Sequence, residues 1–376
     1  MTIDRDGFPA PPALVEHARR FRAEGAVPAV PRVAATVLLL RPAPTVPAAP
    51  TVPAAPTVPA APTVPAAPTV PAAPTVPAAP TVPAAPTVPA APTVPAAPAD
   101  PAAPADPAAP AAPADPAAPA APADPADPAA PADPADSRSV AGVGFEVYLI
   151  RRVAAMAFGG MYAFPGGGVD PSDSQAHPGW AGPGPEEWGA RLGLTAQAAQ
   201  AVVCAAAREV FEEAGVLLAG PDAGTVVGDV SGDDWEAARV ALERHEVGFA
   251  DLLAQRGLTL RSDLLLPWSR WITPEFEPRR FDTYFFVALL PAGQRTRDVS
   301  READRVLWAR PADARDRAAA GELTMLPPTL VTLDEVAACG DLAGVARAAR
   351  SRDAASPVTP RLEFAPEGGE PRFLLR

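Results

Sequence analysis

The sequence contains no lysine and no asparagine, so its 31 basic side chains are all arginine. It has two cysteines, Cys204 and Cys339, far apart and in no CxxC pair. That excludes a disulfide framework and argues against a zinc site. Cys204 lies among alanines and valines and reads as a small core residue. No run reaches the ~20 apolar residues of a membrane span. The start, MTIDRDGFPAPPALVEHARRFRAEG, is charged and lacks the apolar core of a signal peptide. The expectation is a cytoplasmic protein with no membrane contact. No basic tract of the kind that tracks nucleic acid is present. The three histidines, His17, His177 and His245, are scattered and receive no role.

Proline is in excess, at 54 residues, most of them in one block. PTVPAA repeats from Pro44 to Ala97, and a looser PADPAAPA pattern continues to Asp136. Proline at every third residue matches polyproline II, and its missing N–H excludes a helix or a central strand. Residues 42–136 therefore read as a disordered or semi-extended insertion. Seven of the 44 acids are aspartates of that block, leaving 37 acids against 31 bases outside it, within a net charge of −13. An anionic substrate would need local arginines or a bound cation against this background. Without the block roughly 280 residues remain, enough for one elaborated domain, residues 1–41 with 137–376.

AATVLLLR (Ala34–Arg41) and FEVYLIRR (Phe145–Arg152) read as neighbouring strands of one sheet on either side of the insertion. MAFGGMYAFPGGGVDPSD gives a short strand ending in a glycine turn, and GWAGPGPEEWGARLG reads as a loop-like insert. Thr195–Gly215 predicts a helix with Thr195 as N-cap and Gly215 as the stop. One further helix is predicted over about Asp233–Arg256. Strands follow at LLLPWSRWIT, RRFDTYFFVALL and RVLWAR. Two or three C-terminal helices are expected to begin near Ala312, Pro327 and Asp341. Mixed strands and helices in this order indicate an α/β or α+β sandwich.

On the Thr195–Gly215 helix, Glu209, Glu212 and Glu213 stand at i, i+3 and i+4, which puts three carboxylates on one face. Like charges so placed repel. They are either a solvated face, with Arg208 compensating one, or a site for a hard divalent cation. The glycines of FPGGGVD admit close backbone approach to a ligand.

FPGGGVD and REVFEEAGV together resemble the Nudix box, G-x5-E-x7-R-E-U-x-E-E-x-G-U with U aliphatic. Arg208, Glu209, Val210, Glu212, Glu213, Gly215 and Val216 match its second half. The first half departs from the pattern. Counting from Gly167 puts Asp173 at the first acid, and about 27 extra residues then precede the helix. Counting back from Arg208 puts Gln200 there. The resemblance implies a Nudix α/β/α sandwich with a mixed sheet and extra helices. It implies a diphosphohydrolase using Mg²⁺ or Mn²⁺, with Glu212, Glu213 and the Gly166 carbonyl as metal ligands. Glu209 would be a further ligand or the base acting on water, and Arg208 would orient the glutamates. Glu275, Glu277 and Glu302 are candidates for an additional downstream acid.

The interrupted box, with LLPWSRWITPEFEPRRFDTYFFVALLP and TMLPPTLVTLDEVA, resembles the nucleoside diphosphate-linked moiety X motif 19 subgroup, whose animal member is a coenzyme A diphosphatase. Of the upstream coenzyme A signature, Arg151, Gly160 and the FPGG from Phe164 fit, while Met156 stands where a second Arg is expected. The implied partner is a small nucleotide-diphosphate molecule, with coenzyme A or an acyl derivative leading. NADH, ADP-ribose and nucleotide sugars, or a non-catalytic binding module, are the alternatives. Arg151 and Arg280 are expected to bind substrate. Arg270 and Arg279 are weighed as phosphate contacts, and Trp268, Trp271 and Phe276 as core residues or adenine-stacking rings.

Overall fold

In the computed structural model the described residues are 8–9, 12–44, 144–154, 158–175, 179–298, 301–364 and 371–375. The reading of residues 45–136, and Met156 and His177, lie outside them. The described residues belong to one compact unit, Met1–Pro47 with Ala132–Arg376.

β1 (Phe8–Pro9) and α1 (Pro12–Ala23) precede β2 (Arg32–Pro42), which sets the core. Ala34 to Leu40 are all buried. A strand covered on both faces reads as such a continuous apolar run. Alternate side chains leave opposite faces of a strand. Ala35, Val37 and Leu39 join one apolar cluster, and Leu38 and Leu40 join another. β3 (Phe145–Arg152) divides in the same way, with Tyr148 and Ile150 on one side and Val147 and Leu149 on the other. The two strands are neighbours as expected, and they pair antiparallel through Leu40–Val147, Arg41–Glu146 and Pro42–Phe145.

The hairpin strand β4 (Tyr162–Ala163) pairs with β3, and β5 (Gly166–Gly168) pairs with β2. The glycines are thus a strand rather than a turn. Next come α2 (Pro171–Gln175) and β6 (Gly179–Ala181), then α3 (Pro185–Leu192), where a loop is expected. Its first turn holds Pro185, Glu186 and Glu187, its last turn holds Arg191, and Gly193 ends it at φ 67°. Trp188 and Leu192, one turn apart, face the core and outweigh the loop-like composition around them.

α4 (Ala196–Ala214) is the central helix, capped by Thr195, whose hydroxyl accepts from the Ala198 N–H, and by Gly215 at φ 65°. After β7 (Ala219–Gly220) the single helix expected over 233–256 is two, α5 (Asp233–Glu243) and α6 (Phe249–Gln255). His245, at φ 56°, turns the chain out of α5, and Gly248 caps α6.

β8 (Thr259–Arg261), β9 (Leu266–Ile272), β10 (Phe281–Leu289) and β11 (Ala303–Ala309) follow. The main sheet runs β11-β3-β2-β10-β9 and is mixed, since β10 is parallel to β2 and antiparallel to β9. α7 (Pro311–Ala319), α8 (Pro327–Ala337) and α9 (Leu342–Ala349) begin where the sequence indicates. Residues of these three helices pack with Leu38 and Leu40, opposite α4, so the fold is an α/β/α sandwich. β12 (Pro357–Val358) extends the sheet edge. β13 (Pro360–Glu363) and β14 (Arg372–Leu375) form a small sheet with β1, which shares a separate apolar cluster with α1. Among the described residues no helix is long and apolar enough to cross a membrane.

Candidate active site

β5 is threaded between β2 and α4, and glycine is what fits there. A Cβ on Gly166 would lie 2.5 Å from the Ala35 carbonyl oxygen, and one on Gly167 would collide with the Glu209 carboxylate. The closeness brings backbone polar groups onto the acids. The Gly166 N–H donates to Glu213 Oε2 at 2.6 Å, and Arg208 Nη2 donates to the Gly168 carbonyl at 2.8 Å.

Arg208 organises the face. Its Nε and Nη2 fork onto Asp173 at 3.0 Å each, and its Nη1 reaches Glu209 Oε1 at 2.9 Å and Glu212 Oε1 at 3.2 Å. Asp173 is held in turn by a reciprocal cap: the Asp170 N–H donates to Asp173 Oδ2, and the Ser172 N–H to Asp170 Oδ1. Gln200 is buried on α4 and is not among the partners of Arg208.

Asp173, Glu209, Glu212 and Glu213 are each no more than 9 % exposed, against one equally buried guanidinium. Such a face is not solvated. Burial drives the Glu209 carboxyl up to about 8 despite the pull of Arg208. Burial also raises Glu212 and, reinforced by Glu209, holds Glu213 well above the ordinary carboxylate range. Glu213 Oε1 is buried without a hydrogen-bond partner. Arg208 takes only Oε1 of Glu209 and of Glu212. The surplus of buried carboxylate oxygen suits a hard divalent cation, which takes oxygen ligands. Among the described residues no three acidic, cysteine or histidine side chains already converge as a finished metal cluster.

Glu209, Glu212 and Glu213 line a cavity of about 1100 Å³. Arg32, Arg152 and Arg279 reach it, and Trp271, Phe281 and Phe285 form an apolar wall.

The family model described as the NUDT19 Nudix domain matches residues 186–336, about two fifths of the chain. The putative nudix hydrolase 7 of Caenorhabditis elegans is 28% identical over 142 residues, which is 36% of this chain and 44% of that protein. The acyl-coenzyme A diphosphatase NUDT19 of Xenopus laevis is 27% identical over 146 residues, 36% of this chain and 38% of that protein. The chain resembles the Nudix family. Within it the chain resembles NUDT19, although each match spans less than half of the relative. A solved NUDIX hydrolase from Alicyclobacillus acidocaldarius is 28% identical, with a TM-score of 0.44, covering 57% of this chain and 91% of that one.

Arg208, Glu209, Glu212, Glu213 and Gly166 are assembled at the foot of the cavity. The two arginines expected to bind substrate are not brought there. Arg151 forks onto Asp304 of the neighbouring strand at 2.6 and 2.7 Å. Arg280 donates to the carbonyls of Thr273 and Ala29, pinning the segment before β2. Arg270 is likewise held by Asp282 and the Ala355 carbonyl, whereas Arg279 does line the cavity. Of the downstream acids, Glu277 and Glu302 line it and Glu275 does not. Trp268 is fully buried with its indole N–H on Glu335, while Trp271 is buried and still forms part of the wall. Sequence reasoning gave no role to Arg152, Phe158, Glu243 and His245, all of which line the cavity. A non-glycine residue at positive φ leaves no mark in hydrophobic periodicity, which is why Phe158 and His245 were passed over.

Proposed function

We propose that this chain is a divalent-metal-dependent diphosphohydrolase acting on a nucleoside diphosphate-linked small molecule, with coenzyme A or acyl-coenzyme A as the leading substrate. The observation that carries this reading is the buried carboxylate face at the foot of the cavity, with Glu213 Oε1 left unpartnered. The likeness to an acyl-coenzyme A diphosphatase and the apolar wall beside the acids favour the substrate.

In this reading Glu212 and Glu213, with the Gly166 backbone, hold Mg²⁺ or Mn²⁺. When bound, the cation polarises the phosphoryl oxygens and offsets the charge that develops during hydrolysis. Glu209 takes the proton from the attacking water. It stands one turn before Glu212 and Glu213 and lines the same cavity, which puts a carboxylate where that proton is released. Arg208 keeps the glutamates apart and aimed, anchored from behind by Asp173. Arg32, Arg152 and Arg279 meet the negative charge of the diphosphate. The wall of Trp271, Phe281 and Phe285 receives the less polar part of the substrate and limits water.

The test is turnover of coenzyme A, acyl-coenzyme A, NADH, ADP-ribose and nucleotide sugars with Mg²⁺ or Mn²⁺. Glu212→Gln is expected to lower kcat by about a hundredfold or more while the fold persists by circular dichroism. Folded wild-type protein inert on every substrate would refute the reading.

A further inference from the structure

Two non-glycine residues among those described have positive φ, Phe158 at 57° and His245 at 56°, and both line the acid-floored cavity. Non-glycine residues held in this region cluster at functional sites, where the surroundings over-determine them. His245 sits where α5 ends. Its own N–H bonds the Leu242 carbonyl, and the Glu246 N–H bonds the Ala241 carbonyl. That is a left-handed helix exit, for which glycine is the usual residue. α3 and α4 both leave through glycine, Gly193 and Gly215.

The position is fixed relative to the acids. Arg239, almost fully buried, donates through Nη1 to the backbone carbonyl of Glu212 at 2.9 Å and to Glu243 at 3.2 Å. The end of α5 is thereby tied to the same turn of α4 that carries Glu212. Beyond it, His245 Nδ1 lies 3.6 Å from Asp170 Oδ2, and Asp170 belongs to the cap that holds Asp173. The His245 Nε2 has no protein partner among the described residues, and the side chain is 70% exposed. Glycine would serve the helix exit alone, so the imidazole calls for a role beyond it.

We propose that His245 is a substrate-positioning residue, donating a ring N–H to a non-bridging phosphate oxygen of the bound diphosphate. This rests on the diphosphohydrolase reading of the cavity and adds a contact to it. The geometry supplies a further donor at the rim, above a floor of carboxylates that repel phosphate.

His245→Gly in the full chain separates the two explanations, because glycine suits the left-handed exit and removes only the imidazole. The expected result is a thermal midpoint held or raised, with KM for the turned-over diphosphate raised about tenfold and kcat changed much less, as for loss of one hydrogen bond to a charged group. An unchanged KM overturns the proposal, and so does a fallen midpoint with kinetics intact. A second readout does not need turnover. With three histidines in the chain, the imidazole C–H resonance of His245 is assignable by its loss in the variant. It is followed while α,β-methylene-ADP, whose P–C–P bridge resists cleavage, is added with Mg²⁺. A shift of that resonance that saturates with the ligand supports the contact, even if the wild type proves inert and the hydrolase reading fails. No shift of His245 at saturation, or no binding at all, overturns it.

Discussion

Arg208 is buried with its guanidinium divided among Asp173, Glu209, Glu212 and the Gly168 carbonyl. Removing Asp173 strands buried guanidinium N–H donors, which costs far more than an exposed ion pair is worth. Asp173→Ala is therefore expected to destabilise the metal-free protein by about 3 kcal/mol in urea unfolding. It should also slow turnover, since Arg208 would no longer be held from behind. A loss below about 1 kcal/mol would show that Asp173 is not the anchor. The second half of the acid motif was legible in the sequence because helical spacing alone places Glu209, Glu212 and Glu213 together. The partner of Arg208 was not. Asp173 lies 35 residues away across β6 and α3, and nothing in that stretch shows that its ends meet. Arg151 and Arg280 were misplaced for a related reason. A sequence shows a guanidinium but not the carboxylate or carbonyl that already occupies it.

Helix α4 behaves as one element whose charged end is buried whole. Its caps were readable because Thr195 and Gly215 follow the usual start and stop chemistry. α3 carried a proline start and a glycine stop in PEEWGARLG, hidden by the glycines and prolines before it. The break between α5 and α6 was hidden because His245 stands where glycine is expected. The buried acids of α4 also set a pH dependence. Burial raises Glu209 to about 8 and raises Glu212 and Glu213 as well. Between about pH 5 and about pH 8 the unfolded chain has shed these protons while the folded one retains part of them. Fewer protons on the unfolded state means that stability falls as pH rises. The thermal midpoint in EDTA is expected to decline across that window. Excess Mg²⁺ should flatten the decline at its upper end, since an ion bound only by the folded state stabilises it. A midpoint that climbs with pH in EDTA would contradict the burial of these carboxyls.

At the scale of the whole molecule, two strands far apart in sequence meet without an offset. Pro42 pairs with Phe145, and the Ala43 N–H continues the ladder to the Gly144 carbonyl at 2.7 Å. About 100 residues therefore separate neighbours that about five could join, and length alone makes that closure costlier by about 3 kcal/mol. The sheet absorbs the cost because β2 is buried on both faces and is also paired to β10 from Arg32–Phe281 to Leu40–Leu289. The acids lie on α4 and the glycines on β5, beside the Ala34–Thr36 end of β2, whereas the junction is at its other end. Replacing residues 45–143 with a Gly/Ser linker of about five residues should thus raise unfolding stability by up to ~3 kcal/mol and leave kcat/KM unchanged. Paired urea unfolding and kinetics on the shortened and full chains decide it. A shortened chain that fails to fold would show that the β2–β3 pairing depends on the intervening residues. A folded one with altered kcat/KM would place part of the substrate's binding surface within them.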